Sequence, residues 1–134
     1  MINQEKIKIL FIDDDKATNF INKYVAKSSD RIDSIFLLPS GFEAINFLKE
    51  CMVDPTKKPD LIFLDINMPA MNGWEFLQAF YKLDEALVNN IKIIILSSSD
   101  DPQDLNKFKE DSRLLDFLRK PFNSKALNSV LVKI

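Results

Sequence analysis

Residues 61 to 69 read Leu61-Ile62-Phe63-Leu64-Asp65-Ile66-Asn67-Met68-Pro69: an unbroken apolar run, then an acid, then a proline-closed turn. Successive side chains of a strand point to opposite faces, so a strand can be apolar at every position only when both faces are covered. Two more runs have this character. Ile7 to Ile12 precedes Asp13-Asp14-Asp15, and Ile91 to Leu96 precedes Ser97-Ser98-Ser99. Ser34 to Leu38, stopped by Pro39, and Leu114 to Arg119 complete a set of five expected strands.

Helix-like stretches alternate with these strands. Ala17, Phe20, Ile21, Tyr24 and Val25 have the spacing of one helix face. Ser40-Gly41-Phe42-Glu43 fits a capping box ahead of a stripe of Ala44, Ile45, Leu48 and Cys51. Asp54 to Pro59 reads as a loop, and Asn72-Gly73 marks a turn before a third helix that carries Trp74, Leu77, Phe80 and Tyr81. Asp101-Pro102 opens a fourth helix as N-cap and first-turn proline, with only Leu105 and Phe108 clearly apolar. A fifth helix begins near Asn123 and buries Leu127, Val130, Leu131 and Ile134. Doubly buried strands separated by helices predict an α/β fold, a doubly wound five-stranded parallel sheet of flavodoxin-like type with strand order 2-1-3-4-5. Its length, 134 residues, suits one domain.

In such a sheet every strand ends at the same edge, and ligands bind in the crevice beyond it. That edge gathers Asp13 and Asp14 after strand 1, Asp65 after strand 3, Ser97 after strand 4 and Lys120 after strand 5. Strands 1 and 3 are neighbours in the expected order, which sets the Asp13-Asp14 pair beside Asp65. Clustered carboxylates repel one another unless a cation is present. A hard divalent ion such as Mg²⁺ suits oxygen ligands of this kind. A carboxylate can act as nucleophile toward phosphorus, while Mg²⁺, a lysine and a hydroxyl balance the phosphoryl oxygens. Ser97 follows the last apolar residue directly, although Ser98 could serve the same role.

Composition narrows the chemistry further. There is no histidine, so triads that need one are excluded, and the chain cannot store phosphate on a histidine of its own. A net charge of -2 gives no basic footprint for nucleic acid. The single cysteine, Cys51, has no internal partner and lies on an apolar helix stripe, as expected of a core residue in a reducing compartment. Neither a membrane span nor a signal-type leader is expected, and the location expected is cytoplasmic.

Asp13-Asp14 after an apolar strand, Asp65-Ile66-Asn67-Met68-Pro69 with Gly73, Ser97, and Lys120-Pro121-Phe122 together resemble the receiver domain of two-component response regulators. The likeness covers essentially the whole chain, in order, as a single receiver domain over 1–134 with no output domain. It implies that Asp65 is the phosphoacceptor. Asp13, Asp14, Asp65 and the backbone carbonyl of Asn67 would bind Mg²⁺. Ser97 would hydrogen-bond the phosphoryl group as a switch residue, and Phe117 matches the aromatic switch position. Lys120 would pair with a phosphoryl oxygen, its position helped by a cis bond to Pro121. Ser99 occupies a position that tunes phosphate lifetime in this family, and Asp15 is expected to be an N-cap or a solvated acid and not a metal ligand.

The resemblance implies a phosphoprotein that accepts one phosphoryl group rather than a turnover enzyme. Its partners would be a histidine kinase or histidine phosphotransfer protein. A downstream protein would bind the face formed by the fourth helix, fifth strand and fifth helix. No nucleic acid or membrane partner is expected, and the state is a monomer or weak homodimer. Two alternatives stand beside it. One is a haloacid-dehalogenase-type phosphatase using Asp13, suggested by the Asp-x-Asp of residues 13–15, though Ala17 and the missing late acidic pair speak against it. The other is a phosphate-independent receiver-like binding module.

Overall fold

The computed structural model describes residues 6–134. Residues 1–5, where most of the leader-free opening was expected, lie outside the described residues. The order is β1 (Ile7–Ile12), α1 (Lys16–Ala26), β2 (Ile32–Leu38), α2 (Gly41–Val53), β3 (Leu61–Leu64), α3 (Gly73–Phe80), α4 (Glu85–Val88), β4 (Lys92–Ser97), α5 (Pro102–Glu110), β5 (Leu114–Arg119) and α6 (Ser124–Leu131). The strands form one parallel sheet in the order β2-β1-β3-β4-β5, as expected.

The continuous apolar runs are explained by the two cores they serve. Leu10, Ile12, Ile62, Leu64, Ile93 and Ile95 face one side, against Leu48 of α2 and Phe76 and Phe80 of α3. Ile9, Phe11, Leu61, Phe63, Ile94 and Leu96 face the other, against Leu127, Val130 and Leu131 of α6. Period-two alternation thus sends neighbouring residues of one strand into different cores.

Helix starts follow local chemistry. Asp15, Asn72, Asp101 and Asn123 each cap a helix with the side chain accepting a first-turn backbone N–H. Ser40 accepts from the Glu43 N–H, but Glu43 turns to the Ser40 hydroxyl, and the complete reciprocal box forms instead between Asn72 and Glu75. The one-turn α4 was not expected. Asp84 caps it by accepting from Ala86, in a segment too short to show helical periodicity. It shifts the numbering, so the expected fourth and fifth helices are α5 and α6.

Ile134, expected to be buried with the last helix, is instead 43% exposed and lies past the end of α6. Apart from Val25, the apolar stripe of α1 does not pack inward: Phe20 is 70% and Tyr24 74% exposed, while Asn19, Asn22 and Ala26 are buried. Asn19, Asn22 and Ala26 are themselves spaced as a helix face, so periodicity leaves the rotation of this helix open. The Asn19 side-chain amide donates to the Asp13 carbonyl oxygen at 2.8 Å, and that bond turns the polar face toward the sheet. Among the described residues no helix is long and apolar enough to cross a membrane.

Candidate functional site

The site grows out of the strand ends. The Asp13 N–H donates to the Leu38 carbonyl and the Asp65 N–H to the Ile12 carbonyl, so the ladders carry both acids just past the sheet edge. The Lys120 N–H donates to the Ser97 carbonyl at 3.0 Å and registers the ends of β4 and β5 in the same way. One carboxylate oxygen from each of Asp13, Asp14 and Asp65 lies within 4.8 Å of the others. Asp13 and Asp65 are buried, at 2% and 5% exposed, and Asp14 faces solvent.

Gly73 makes this geometry possible. A Cβ there would stand 2.8 Å from the Asp65 carbonyl oxygen and 2.7 Å from the Ile66 Cα. Only a residue without a side chain lets the first turn of α3 approach the Asp65 loop so closely.

Lys120 bridges the pocket. Its ammonium is 2.7 Å from Asp13 Oδ2 and 3.5 Å from Asp65 Oδ1. Asp65 Oδ1 also accepts the Asn67 N–H at 3.2 Å, and Asp13 Oδ1 accepts the Asp15 N–H at 2.9 Å. Burial, reinforced by the charge of Asp13, pushes the Asp65 carboxyl up to about 6, with Lys120 and the Asn67 N–H opposing. Burial works against the Lys120 ammonium. Its hydrogen bond to Asp13 and the charges of Asp65 and Asp13 outweigh that and hold it above the ordinary lysine value.

Three carboxylates against one ammonium leave the pocket anionic, and their mutual spacing suits a shared hard cation. The donor set therefore fits a divalent ion.

Ser97 is fully buried, and its Oγ accepts the Ser99 N–H at 2.9 Å. Phe117 is half-buried and meets the Phe108 ring edge-on, with centroids 5.7 Å apart. The Lys120–Pro121 peptide is cis, as expected. Asp15 lies outside the pocket cluster: its carboxylate accepts from the Ala17 N–H and the Thr18 hydroxyl. An Asp-x-Asp phosphatase would need that carboxylate free at the reacting centre, and here it caps α1. Sequence reasoning missed Asn19 and Asp104. Both are ordinary polar helix residues whose partners appear only in three dimensions.

Residues 9–132 match the model of the response regulator receiver domain. The chain belongs to this family. The receiver is therefore a phosphoacceptor module of two-component signalling.

Its fold is similar to that of a two-component response regulator from Cytophaga hutchinsonii, with a TM-score of 0.87, 35% identity, and coverage of 96% of this chain and 97% of that one. The response regulator Rcp1, solved in a Mn(2+)-bound form, is 28% identical at a TM-score of 0.72, covering 94% of this chain and 90% of that one. A protein-glutamate methylesterase/protein-glutamine glutaminase of Clostridium acetobutylicum is 37% identical over 94 residues, 70% of this receiver but 24% of that protein. The receiver spans about a quarter to a third of the curated methylesterase relatives it matches.

Proposed function

We propose that Asp65 accepts a phosphoryl group from a separate phosphohistidine protein, a histidine kinase or a phosphotransfer protein. The observation that carries this is the convergence of Asp13, Asp14, Asp65 and Lys120 at one sheet edge. An Asp65 carboxylate oxygen forms the new bond to phosphorus as the phosphorus–nitrogen bond to the donor imidazole breaks. The imidazole leaves with the bonding pair and takes up a proton. Lys120 would neutralise phosphoryl oxygen charge, and the Ser97 hydroxyl, once it moves toward Asp65, would donate to it.

Asp13, Asp14, Asp65 and the Asn67 carbonyl would hold Mg²⁺, which supplies positive charge for the phosphoryl oxygens and favours the ionised form of Asp65 at neutral pH. That the similar response regulator Rcp1 was solved in a Mn(2+)-bound form supports the binding of a divalent ion. After one transfer the aspartyl-phosphate is hydrolysed slowly, so the receiver acts as a signal carrier and not as a turnover enzyme.

The exposed face of α1 supports the choice of donor. It begins immediately after Asp13–Asp15 and carries a groove of about 460 Å³ lined by Phe20, Tyr24, Lys16, Lys23 and Lys27 over Leu37. Apolar rings ringed by three lysines fit a helical partner with an acidic rim. Readout belongs to α5, β5 and α6, where Phe117 packs on Phe108 of a helix with no fully buried residue among those described. Phosphorylation would shift an existing equilibrium of this face and so change protein binding. With residues 9–132 taken up by the receiver, these residues signal through its own faces. A buried, unpaired Cys51 fits a cytoplasmic setting.

The test is intact mass after incubation with Mg²⁺ and acetyl phosphate. One added phosphoryl group is expected, absent in Asp65→Asn and absent without Mg²⁺. Addition that survives Asp65→Asn would transfer the role to Asp13.

A further inference from the structure

Next to the acidic pocket, one carboxylate joins two segments that no strand ladder connects. Asp104 lies half-buried in the first turn of α5. Its Oδ1 accepts the indole N–H of Trp74 at 2.9 Å, and its Oδ2 accepts the Ser99 hydroxyl at 2.6 Å. Trp74 directly follows Gly73, in the turn of α3 pressed against the Asp65 carbonyl. Ser99 lies in the β4–α5 loop, where its N–H donates to Ser97 Oγ and its own Oγ accepts the Asp101 N–H at 3.1 Å. The Lys107 ammonium stands 5.7 Å over the Trp74 ring.

We propose that Asp104 is a positioning residue for Ser97: by anchoring Ser99 to Trp74 it holds the Ser97 hydroxyl in its resting place and sets how readily that hydroxyl reaches a phosphoryl group on Asp65. The proposal rests on Asp65 being the phosphoacceptor. In the resting arrangement Ser97 Oγ is bonded to the Ser99 N–H and makes no hydrogen bond to Asp65. To reach a phosphoryl oxygen, Ser97 must either leave Ser99 or draw the loop with it, and both motions work against the Asp104 anchor. Hydrogen bonds to a charged carboxylate are among the stronger ones in proteins, so the anchor opposes the switched state measurably. The same tie would pass any loop movement on to α3 and α5.

The experiment measures binding of beryllofluoride, a phosphoryl mimic, by calorimetry at saturating Mg²⁺ in wild type, Asp104→Ala, Asp104→Asn and Trp74→Phe. Calorimetry is chosen because Trp74 is part of the tie and its fluorescence would change for other reasons. Asp104→Ala removes both bonds and is expected to bind about tenfold more tightly. Asp104→Asn can still accept from Trp74 and reach the Ser99 oxygen with its amide, so it should stay within about twofold of wild type. Trp74→Phe cuts one arm only and should fall between.

A gain in affinity distinguishes positioning from a purely structural role, because a loosened fold would lose affinity. Unchanged or weaker binding by a folded Asp104→Ala overturns the proposal. So does an equal gain in Asp104→Asn, which would mark a charge effect. If Asp104→Ala does not fold, Trp74→Phe decides the matter on the same criterion. Wild type that takes no beryllofluoride, and no phosphoryl group in the mass experiment, overturns the Asp65 reading itself and the proposal with it.

Discussion

At the scale of single residues, the chemistry of the pocket is a matter of burial. The Asp65 carboxyl ionises near 3.8 in an unstructured chain and near 6 in the folded receiver. Below 3.8 it is protonated in both states. Between the two values the folded state holds the extra proton, so stability falls as pH rises through this window, and the cost is complete above about 6. The cost amounts to about 3 kcal/mol at most. Asp65→Asn is therefore expected to flatten the pH dependence between 4 and 6 and to raise stability by ~1–3 kcal/mol at pH 7.5 without Mg²⁺, as read by urea unfolding with a chelator present. Gly73→Ala acts through space instead of charge. Its Cβ would collide with the Asp65 carbonyl and the Ile66 backbone, and a loss of ~1–3 kcal/mol is expected in the same unfolding measurement. The acid–lysine set was legible residue by residue because each member directly follows a strand. The need for glycine at position 73 was legible only as a turn.

At the scale of elements, α1 teaches the most. Its aromatic residues face solvent, so removing them should leave the fold intact. Phe20→Ala with Tyr24→Ala is expected to change stability by no more than about 0.5 kcal/mol for each residue. The same pair should slow phosphoryl transfer from a phosphohistidine donor by about tenfold or more while leaving the reaction with acetyl phosphate unchanged. Equal slowing with both donors would show that the change acts on the pocket and not on docking. The sequence showed α1 to be amphipathic, yet the sheet receives Asn19, Asn22 and Ala26. An apolar stripe states that a helix has two faces, and a single buried hydrogen bond from Asn19 to Asp13 chose between them. The apolar stripes of α2 and α3 do enter the core on one side of the sheet, and Leu127, Val130 and Leu131 of α6 enter the core on the other.

At the scale of the whole molecule, the receiver couples a charged pocket to two helical faces. Mg²⁺ should stabilise the fold by linkage, by about 2.7 kcal/mol at a concentration one hundred times its dissociation constant. The rise in melting temperature should be much smaller in Asp13→Asn, which removes a buried oxygen ligand of the proposed set and the close partner of Lys120. Saturation of the melting temperature at the same Mg²⁺ concentration in both proteins would remove Asp13 from that set.

The sequence by itself determined the sheet. Strands apolar at every position have to be covered on both faces, and the helical stretches between them supply that cover. It also determined which residues meet in the pocket, because a parallel sheet delivers Asp13, Asp65, Ser97 and Lys120 to one edge whatever the loops do. Tertiary structure decided what depends on contacts between distant segments. It turned the lysine and aromatic side of α1 outward, assigned Asp15 to a helix cap, and joined Trp74 to Ser99 through Asp104. Periodicity constrains one element at a time, whereas the rotation of a helix and the partner of a polar side chain are set by the surface it meets.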